Sequence, residues 1–513
     1  MGLGRTRSVA LTGLDGALVQ VEADIAQGLP HFAVSGLPDT ACLQSTDRIK
    51  AGTTNSGLPL PQRRITVNLS PASIPKAGTA FDLAIAVAAL VAAQVLPADT
   101  AEEVVHLGEV GLDGSIRAVR GVLPSVLAAA AHGVQDVVVP LANASEASLV
   151  PGVRVHAVPD LATLRERYAR ARGGRLPVVP LGEAEAGETS PAAVKDLADV
   201  VGQPEARMAL ELAAAGGHHL FLMGPPGAGK TMLAERLASV LPRLEPQQSL
   251  EVLAVRSLLG PVPDALSVVG TPPFVAPHHS ASTAAIVGGG SGAIRPGAVS
   301  QAHHGVLFLD EAPEFKVTTL QALRQPLESG EVWVSRARSS VRFPARFQLV
   351  MAANPCPCGL GFGKGAECSC RPQAKRAYAA KLGGPLLDRV DLQVAMPAIN
   401  LAALGEGAGE TSAVVGARVE QARALQAARW EGSPWSLNGQ AAGSALRRAP
   451  YRLARAVTAD LDRALDRGLI TLRGYDRVLR LGWTVADLAG HAAPTRDDLG
   501  LALTLRNQGP VAA

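Results

Sequence analysis

In the 513-residue sequence, Gly224-Pro-Pro-Gly-Ala-Gly-Lys-Thr231 follows the apolar run Leu220–Met223 and opens into MLAERLASVL, so a glycine-rich loop joins a predicted strand to a predicted helix. Such a loop turns successive backbone N–H groups toward phosphate oxygens and sets a helix dipole behind them. Gly224, Pro225, Pro226, Gly227, Ala228 and Gly229 are therefore the expected cradle for ATP, with Lys230 reaching the β- and γ-phosphates and Thr231 binding Mg²⁺. VLFLDE supplies the complementary half. A buried strand, Val306–Leu309, delivers Asp310 to the Mg²⁺ shell and Glu311 to the attacking water. A third run, FQLVMAA, ends at Asn354, whose neutral amide orients that water without adding charge.

The same strand end opens a loop, NPCPCGLGFGKGAECSC, holding four of the five cysteines of the chain. Cys356, Cys358, Cys368 and Cys370 form two Cys-x-Cys pairs nine residues apart, and intervening glycines let the pairs converge. Four thiolates are what a closed tetrahedral Zn²⁺ site takes, although one-residue spacing is tighter than usual. A redox or disulfide role and an unliganded loop are the alternatives; an odd cysteine count without an export signal disfavours a disulfide framework. Arginines available to offset charge on a transferred phosphoryl group are Arg389, in GPLLDRVDL, and Arg473, Arg477 and Arg480, in LITLRGYDRVLRLGW. EVWVSRARSSVRFPARF, from Glu331 to Phe347, reads as two β-like runs about a polar turn. His278-His279 and His303-His304 suggest a metal, but adjacent residues of an extended strand point to opposite faces, so paired ligation is not expected.

These residues need a scaffold. Residues 1–171 alternate β-like runs (Val9–Leu11, Leu18–Val21, Arg64–Leu69, Val137–Val139) with Ala-rich helical runs, the pattern of one α/β domain. Residues 172–191, rich in Gly, Pro and acidic side chains, read as a linker. From 192 to 400, strand-like runs separated by helical stretches predict a parallel sheet covered by helices. Beyond a Gly-rich stretch, Leu404–Gly409, residues 410–513 read as helical, with Val415, Val419, Ala422 and Leu425 near one face and Pro494-Thr495-x-x-Asp498 as a capped helix start. With 47% hydrophobic and 18% charged residues the chain is globular; with 3% aromatics its cores must be Ala, Val and Leu. The longest apolar run, Leu83–Ala93, is too short for a bilayer, and no signal-peptide segment is present, so a cytoplasmic location is expected. A net charge of +3 excludes a global basic field and confines any nucleic-acid surface to a local patch.

With these residues in place the sequence resembles the ComM/YifB family of magnesium-chelatase-like AAA+ ATPases, end to end. VSGLPDTA, NLSPASIPKAGTAFDLAIA, VVGQPEARMALELAAAGGHHLFLMGPPGAGKT, AHHGVLFLDEAPEF and GPLLDRVDL carry the likeness. The resemblance implies an α/β architecture of three parts: an N-terminal Lon-protease-like (S5-like) domain, an AAA+ P-loop core and a C-terminal α-helical lid. It also implies a homohexameric ATPase ring, with Asn354 as first sensor, Arg389 as a finger acting on the neighbouring subunit and Arg473 as second sensor. It further implies a DNA branch-migration motor, in which Arg336 and Arg338 on the hairpin meet backbone phosphates; a second candidate contact, GGGSGAIRPGAVS, carries Arg295 as its only charge. Set against the Lon nucleophile motif, Ala80 takes the serine position and Leu123 the lysine position, so the N-terminal domain is expected to be proteolytically inactive. A chelatase-type subunit and a protein-remodelling ring are the rival readings.

Overall fold

The structure, a computed structural model, describes residues 2–172, 174–177, 195–290, 294–336, 339–361, 368–398 and 409–506, with Arg336 and Ser339 described as backbone. Arg338 and most of both expected connectors, 172–191 and 404–409, lie outside the described residues.

The N-terminal part is built on β1 (Leu3–Thr12), β2 (Asp15–Ala26), β3 (His31–Ser35), β4 (Arg64–Ser70), β5 (Val104–His106), β6 (Asp136–Pro140) and β7 (Arg154–Val158). They form a mixed seven-stranded sheet in the order β3-β4-β2-β1-β5-β6-β7. β1 and β2 pair antiparallel from Leu3↔Asp24 to Thr12↔Asp15, leaving Gly13 and Leu14 as the turn. Gly13 takes φ +67, a conformation other residues adopt only with strain. The apolar run singled out in the sequence is helix α1 (Asp82–Ala92), buried at every position. It lies directly on β1: a Cβ on Gly4 would come within 2.1 Å of the Ala88 carbonyl oxygen. Small residues on both sides replace aromatic bulk with close backbone approach.

The second sheet is wholly parallel. Its strands are β8 (Leu220–Met223), β9 (Phe274–Val275), β10 (Val306–Leu309), β13 (Gln348–Ala353) and β14 (Leu392–Ala395), with the hairpin β11 (Glu331–Arg336) and β12 (Ser339–Pro344) inserted before β13. The order is β9-β10-β13-β8-β14, so the strand ending at Asn354 lies between those carrying the phosphate loop and the acidic pair. β10 and β13 are buried along their whole length, as parallel strands covered on both faces must be.

Helix α2 (Val122–Ala131) ties the two sheets together. Its Leu123 and Val126 share an apolar cluster with Leu253 and Ala254 of α5 (Pro246–Ser257), and Ser257 accepts from Gly121 N and Leu123 N. Helices α3 (Pro204–Gly216) and α4 (Lys230–Val240) flank β8, whereas α6 (Arg324–Ser329), α7 (Gly384–Leu387), α8 (Ser412–Arg429), α9 (Leu472–Ala489) and α10 (Arg496–Arg506) follow later in the chain. The C-terminal helices terminate α3. Arg423 donates to Ala214 O at 2.7 Å and Gln426 to Ala215 O at 3.2 Å, satisfying carbonyls that a helix end leaves open. Val415, Val419 and Ala422 are buried as expected, but Leu425 is 51% exposed and Gln426 takes the buried place. At 3.6 residues per turn, position 426 returns to the face of 415 and 422, whereas 425 falls well to one side. Thr495 and Asp498 do form the reciprocal cap at the start of α10. Among the described residues no helix is long and apolar enough to cross a membrane.

Candidate nucleotide site and finger arginines

The loop after β8 curls at the end of the sheet where its strands finish. Gly227 and Gly229 have φ of +79 and +86, and nothing lies within 4 Å of a Cβ built on either, so the cradle is open above the backbone. Gly224 is constrained from below: a Cβ there would sit 2.4 Å from Met396 O. The Lys230 ammonium is folded onto the loop, donating to Gly224 O at 2.7 Å, Pro225 O at 2.9 Å and Asn354 Oδ1 at 3.1 Å. Burial pulls its pKa below the usual lysine value, and Asp310 and Glu311 partly oppose the shift. Thr231 Oγ1 donates to Asp310 Oδ2 at 2.7 Å, which puts two hard oxygen ligands side by side, a donor set that fits Mg²⁺. Glu311 follows in a left-handed conformation, φ +49, with its side chain 51% exposed at the mouth of the cradle. Lys230, Thr231, Asp310, Glu311 and Asn354 are thus brought together.

Two neighbours were not read from the sequence. His279 Nδ1 lies 3.2 Å from Glu311 Oε2, so the carboxylate expected to polarise water has an imidazole partner. Gln203, itself left-handed at φ +58, donates to Ala228 O at 3.4 Å and to Pro397 O at 2.6 Å, bracing the loop from beneath. The only signal for Gln203 is its place in VVGQPEAR, just before a proline that starts a helix; the His279 contact is non-local and leaves no pattern.

The four-cysteine loop reaches the same cradle. Asn354 directly follows β13, Cys356 is fully buried, and Gly359, at φ +80, lies so close to Pro226 of the phosphate loop that a Cβ would meet Pro226 Cδ at 2.8 Å. The Sγ atoms of Cys356, Cys358 and Cys368 are 3.3, 3.6 and 3.7 Å apart, and all four thiols lie within 4.8 Å of one another. Sulfurs around a tetrahedral Zn²⁺ at about 2.3 Å are about 3.8 Å apart, so the cluster has the size of a ZnS₄ site. The Leu360 N–H and the neighbouring thiols pull Cys358 down to about 6, toward the thiolate that binds metal.

His303 and His304 correct the expectation of opposite faces. His304 is left-handed, φ +56, and the two rings lie on one side with centroids 3.9 Å apart, tilted by 42°. Both Nε2 atoms meet Glu251 Oε2 of α5, at 3.0 and 2.9 Å. Convergence does not make a ligand pair here. His303 Nδ1 accepts from Arg346 N at 3.1 Å, so Nε2 carries the proton and faces the carboxylate as a donor. Burial pushes His303 down to about 4, keeping it neutral.

Arg389 lies at the other end of the sheet. It precedes β14, whose Leu392 pairs with Leu220 at the start of β8. Its side chain is 8% exposed, ion-paired to Glu328 of α6 and donating to Pro385 O at 2.5 Å. Arg477 pairs with Asp391 at 2.6 Å on the same edge. Burial alone would raise Asp391, but Arg477 and His218 hold it well below the usual carboxylate range. Arg473 is exposed, one turn before Arg477 in α9. β8 spans four residues, about 13 Å at the rise of a strand, so this edge and the cradle are separated by at least that much. The hairpin has formed as expected, with Arg336 opposite Ser339 at its end; the Arg336 side chain and Arg338 lie outside the described residues. Arg295 is exposed in a short strand pair, Gly288–Gly289 with Arg295–Pro296.

A parallel sheet in this order, with the phosphate loop after an interior strand and an Asp-Glu pair two strands away, defines a P-loop protein of the AAA+ class. Family models agree: residues 196–404 match "Magnesium chelatase, subunit ChlI", residues 21–143 match "Subunit ChlI of Mg-chelatase", and residues 409–506 match its C-terminal model. The chain is 38% identical to the competence protein ComM of Haemophilus influenzae over 511 residues, covering 99% of this chain and 98% of that protein. It is 38% identical to the uncharacterized protein YifB of Escherichia coli over 515 residues, 99% and 97% of the two chains. An uncharacterized protein of Mycobacterium tuberculosis is 49% identical over 511 residues, 99% of each chain. The chain belongs to the ComM/YifB family of magnesium-chelatase-like AAA+ proteins.

Proposed function

We propose that this chain is an ATP-hydrolysing, homohexameric ring motor of the cytoplasm that remodels branched or partly single-stranded DNA during recombination of incoming DNA. The observation that carries the reading is the placement of Arg389 at the end of the sheet where the strands begin, opposite the end that carries the phosphate cradle of its own subunit. An arginine so placed can reach a γ-phosphate only on a neighbouring subunit, which makes each site incomplete without the next copy.

In the proposed cycle the loop N–H groups and the α4 N-terminus hold the phosphates, and Lys230 exchanges its carbonyl partners for phosphate oxygens. Thr231 and Asp310 would hold Mg²⁺, which neutralises charge between the β- and γ-phosphates when bound. Glu311 takes the proton of the attacking water as it leaves His279, Asn354 orients that water, Arg389 offsets charge on the neighbour's phosphoryl group, and Arg473 serves as second sensor. Four thiolates holding Zn²⁺ would pin the loop between Asn354 and the chain leading to Arg389.

The ComM relative is a competence protein by name, and the hairpin sequence carries Arg336 and Arg338 as candidate contacts to DNA phosphates. Ala80 and Leu123 sit in one apolar cluster, an environment without the hydroxyl and amine of a Ser-Lys peptidase, which supports a collar role for the N-terminal domain. ATPase rates with no ligand, single strands, duplex, a four-way junction and porphyrin test the assignment. Stimulation by single strands or the junction is expected; stimulation by porphyrin alone would favour the chelatase reading.

A further inference from the structure

The hairpin has two unlike faces. Val332, Val334, Val341 and Phe343 point inward and are at most 8% exposed, packed into the core of the parallel sheet. Trp333 points the other way and is 50% exposed. Among the described Phe, Tyr and Trp residues it alone is exposed. Its direct cross-strand partner is Arg342, whose side chain is 56% exposed, and paired residues share a face of the ribbon. Glu331 fixes both: it accepts from Trp333 Nε1 at 2.9 Å and lies 3.5 Å from Arg342 Nη1. The indole N–H is therefore already satisfied, and what the half-exposed ring still offers is apolar π-surface. From Glu331 to Phe347 the chain carries four arginines and one acidic residue, so an aromatic plane sits in a basic strip.

We infer that Trp333 is a base-stacking platform for single-stranded DNA, with Arg342 beside it as a phosphate or base-plane contact. This rests on the DNA-motor reading and deepens it, because a stacked base must be unpaired whereas phosphate contacts alone accept duplex. The inner face of the hairpin is fastened to the core and to the Gly13 turn, so the ring is presented in a preset orientation. The platform discriminates paired from unpaired bases without reading sequence, since every base has a π-face.

The test is a double comparison on the full chain with a non-hydrolysable ATP analogue: wild type, Trp333→Ala and Trp333→Phe against oligodeoxythymidylate and an abasic strand of equal length. Wild type should bind the thymidylate about tenfold more tightly than the abasic strand, Trp333→Ala should bind both alike, and Trp333→Phe should recover most of the difference. Salt dependence should stay the same across the three, since the arginines remain. Equal wild-type affinity for the two strands would overturn the platform while leaving a motor that grips phosphates. Absence of binding to any DNA would overturn the motor reading and the platform with it. Failure of Trp333→Ala rings to assemble, with Trp333→Phe normal, would make this face a subunit contact and overturn the inference.

Discussion

The Nζ atom of Lys230 and the Oδ1 atom of Asn354 lie 3.1 Å apart, joining the phosphate loop to the adjacent strand. In the proposed cycle the lysine would release these groups when nucleotide arrives, and Asn354 would be freed to meet water in the same movement. Lys230→Ala should weaken ATP binding. Glu311→Gln should leave binding and assembly intact and slow turnover at least about 100-fold, the usual worth of a positioned general base. Nucleotide binding by fluorescence and phosphate release separate the two; parental turnover in Glu311→Gln would remove Glu311 from its role.

Arg389 is expected to act across a subunit boundary. Arg389→Ala and Glu311→Gln proteins should each be inactive, yet mixed rings should recover part of the ATPase rate, because some interfaces then combine an intact finger with an intact base. Mixed rings verified by mass spectrometry that recover nothing would place the arginine's role within its own subunit. Glu328→Gln removes the ion-pair partner of Arg389 and should ease engagement with the neighbour, seen as a raised basal rate.

Zinc should approach one per chain in protein purified without added metal or chelator, and should fall when Cys368 and Cys370 become Ser. Gly359 touches Pro226, so metal loss should reach the phosphate loop through that contact: thermal stability and ATPase coupling should drop before nucleotide affinity does. Absence of zinc with normal coupling would overturn the site.

Stability should fall with acid in a window set by buried histidines. Burial holds His106 down to about 3 and His219 and His303 down to about 4, all below the unfolded value of about 6.5. The unfolded chain binds protons first as pH falls from about 6.5 to about 3, so unfolding is favoured across that range and stability is full above it. Urea midpoints measured against pH should show this slope, and His303→Gln should reduce it.

How much of this was legible in the sequence depended on whether the signal was local. The phosphate loop, VLFLDE, the buried α1 and the Thr495–Asp498 cap are contiguous patterns whose chemistry and spacing define them. His279 on Glu311, Glu328 on Arg389 and Gly359 on Pro226 join segments tens of residues apart, and no periodicity encodes such meetings. His303 and His304 failed for a different reason: a strand rule was applied to residues that lie in the turn before β10, where His304 is left-handed. Leu425 failed by one residue of helical phase, where burial went to a glutamine that a helix end needed.

A Cβ on Gly13 would stand 2.4 Å from Val341 Cγ1, so the tip of the first β-hairpin rests against the later hairpin that carries Trp333. In mechanical terms this is a bearing. In the proposed ring motor, a stroke of this hairpin would push on the β1–β2 ribbon, ten paired residues long on each strand, and the load would pass into the seven-stranded sheet instead of being absorbed by a loop. A bulkier residue at 13 would jam that bearing, separating force transmission from both nucleotide turnover and DNA affinity.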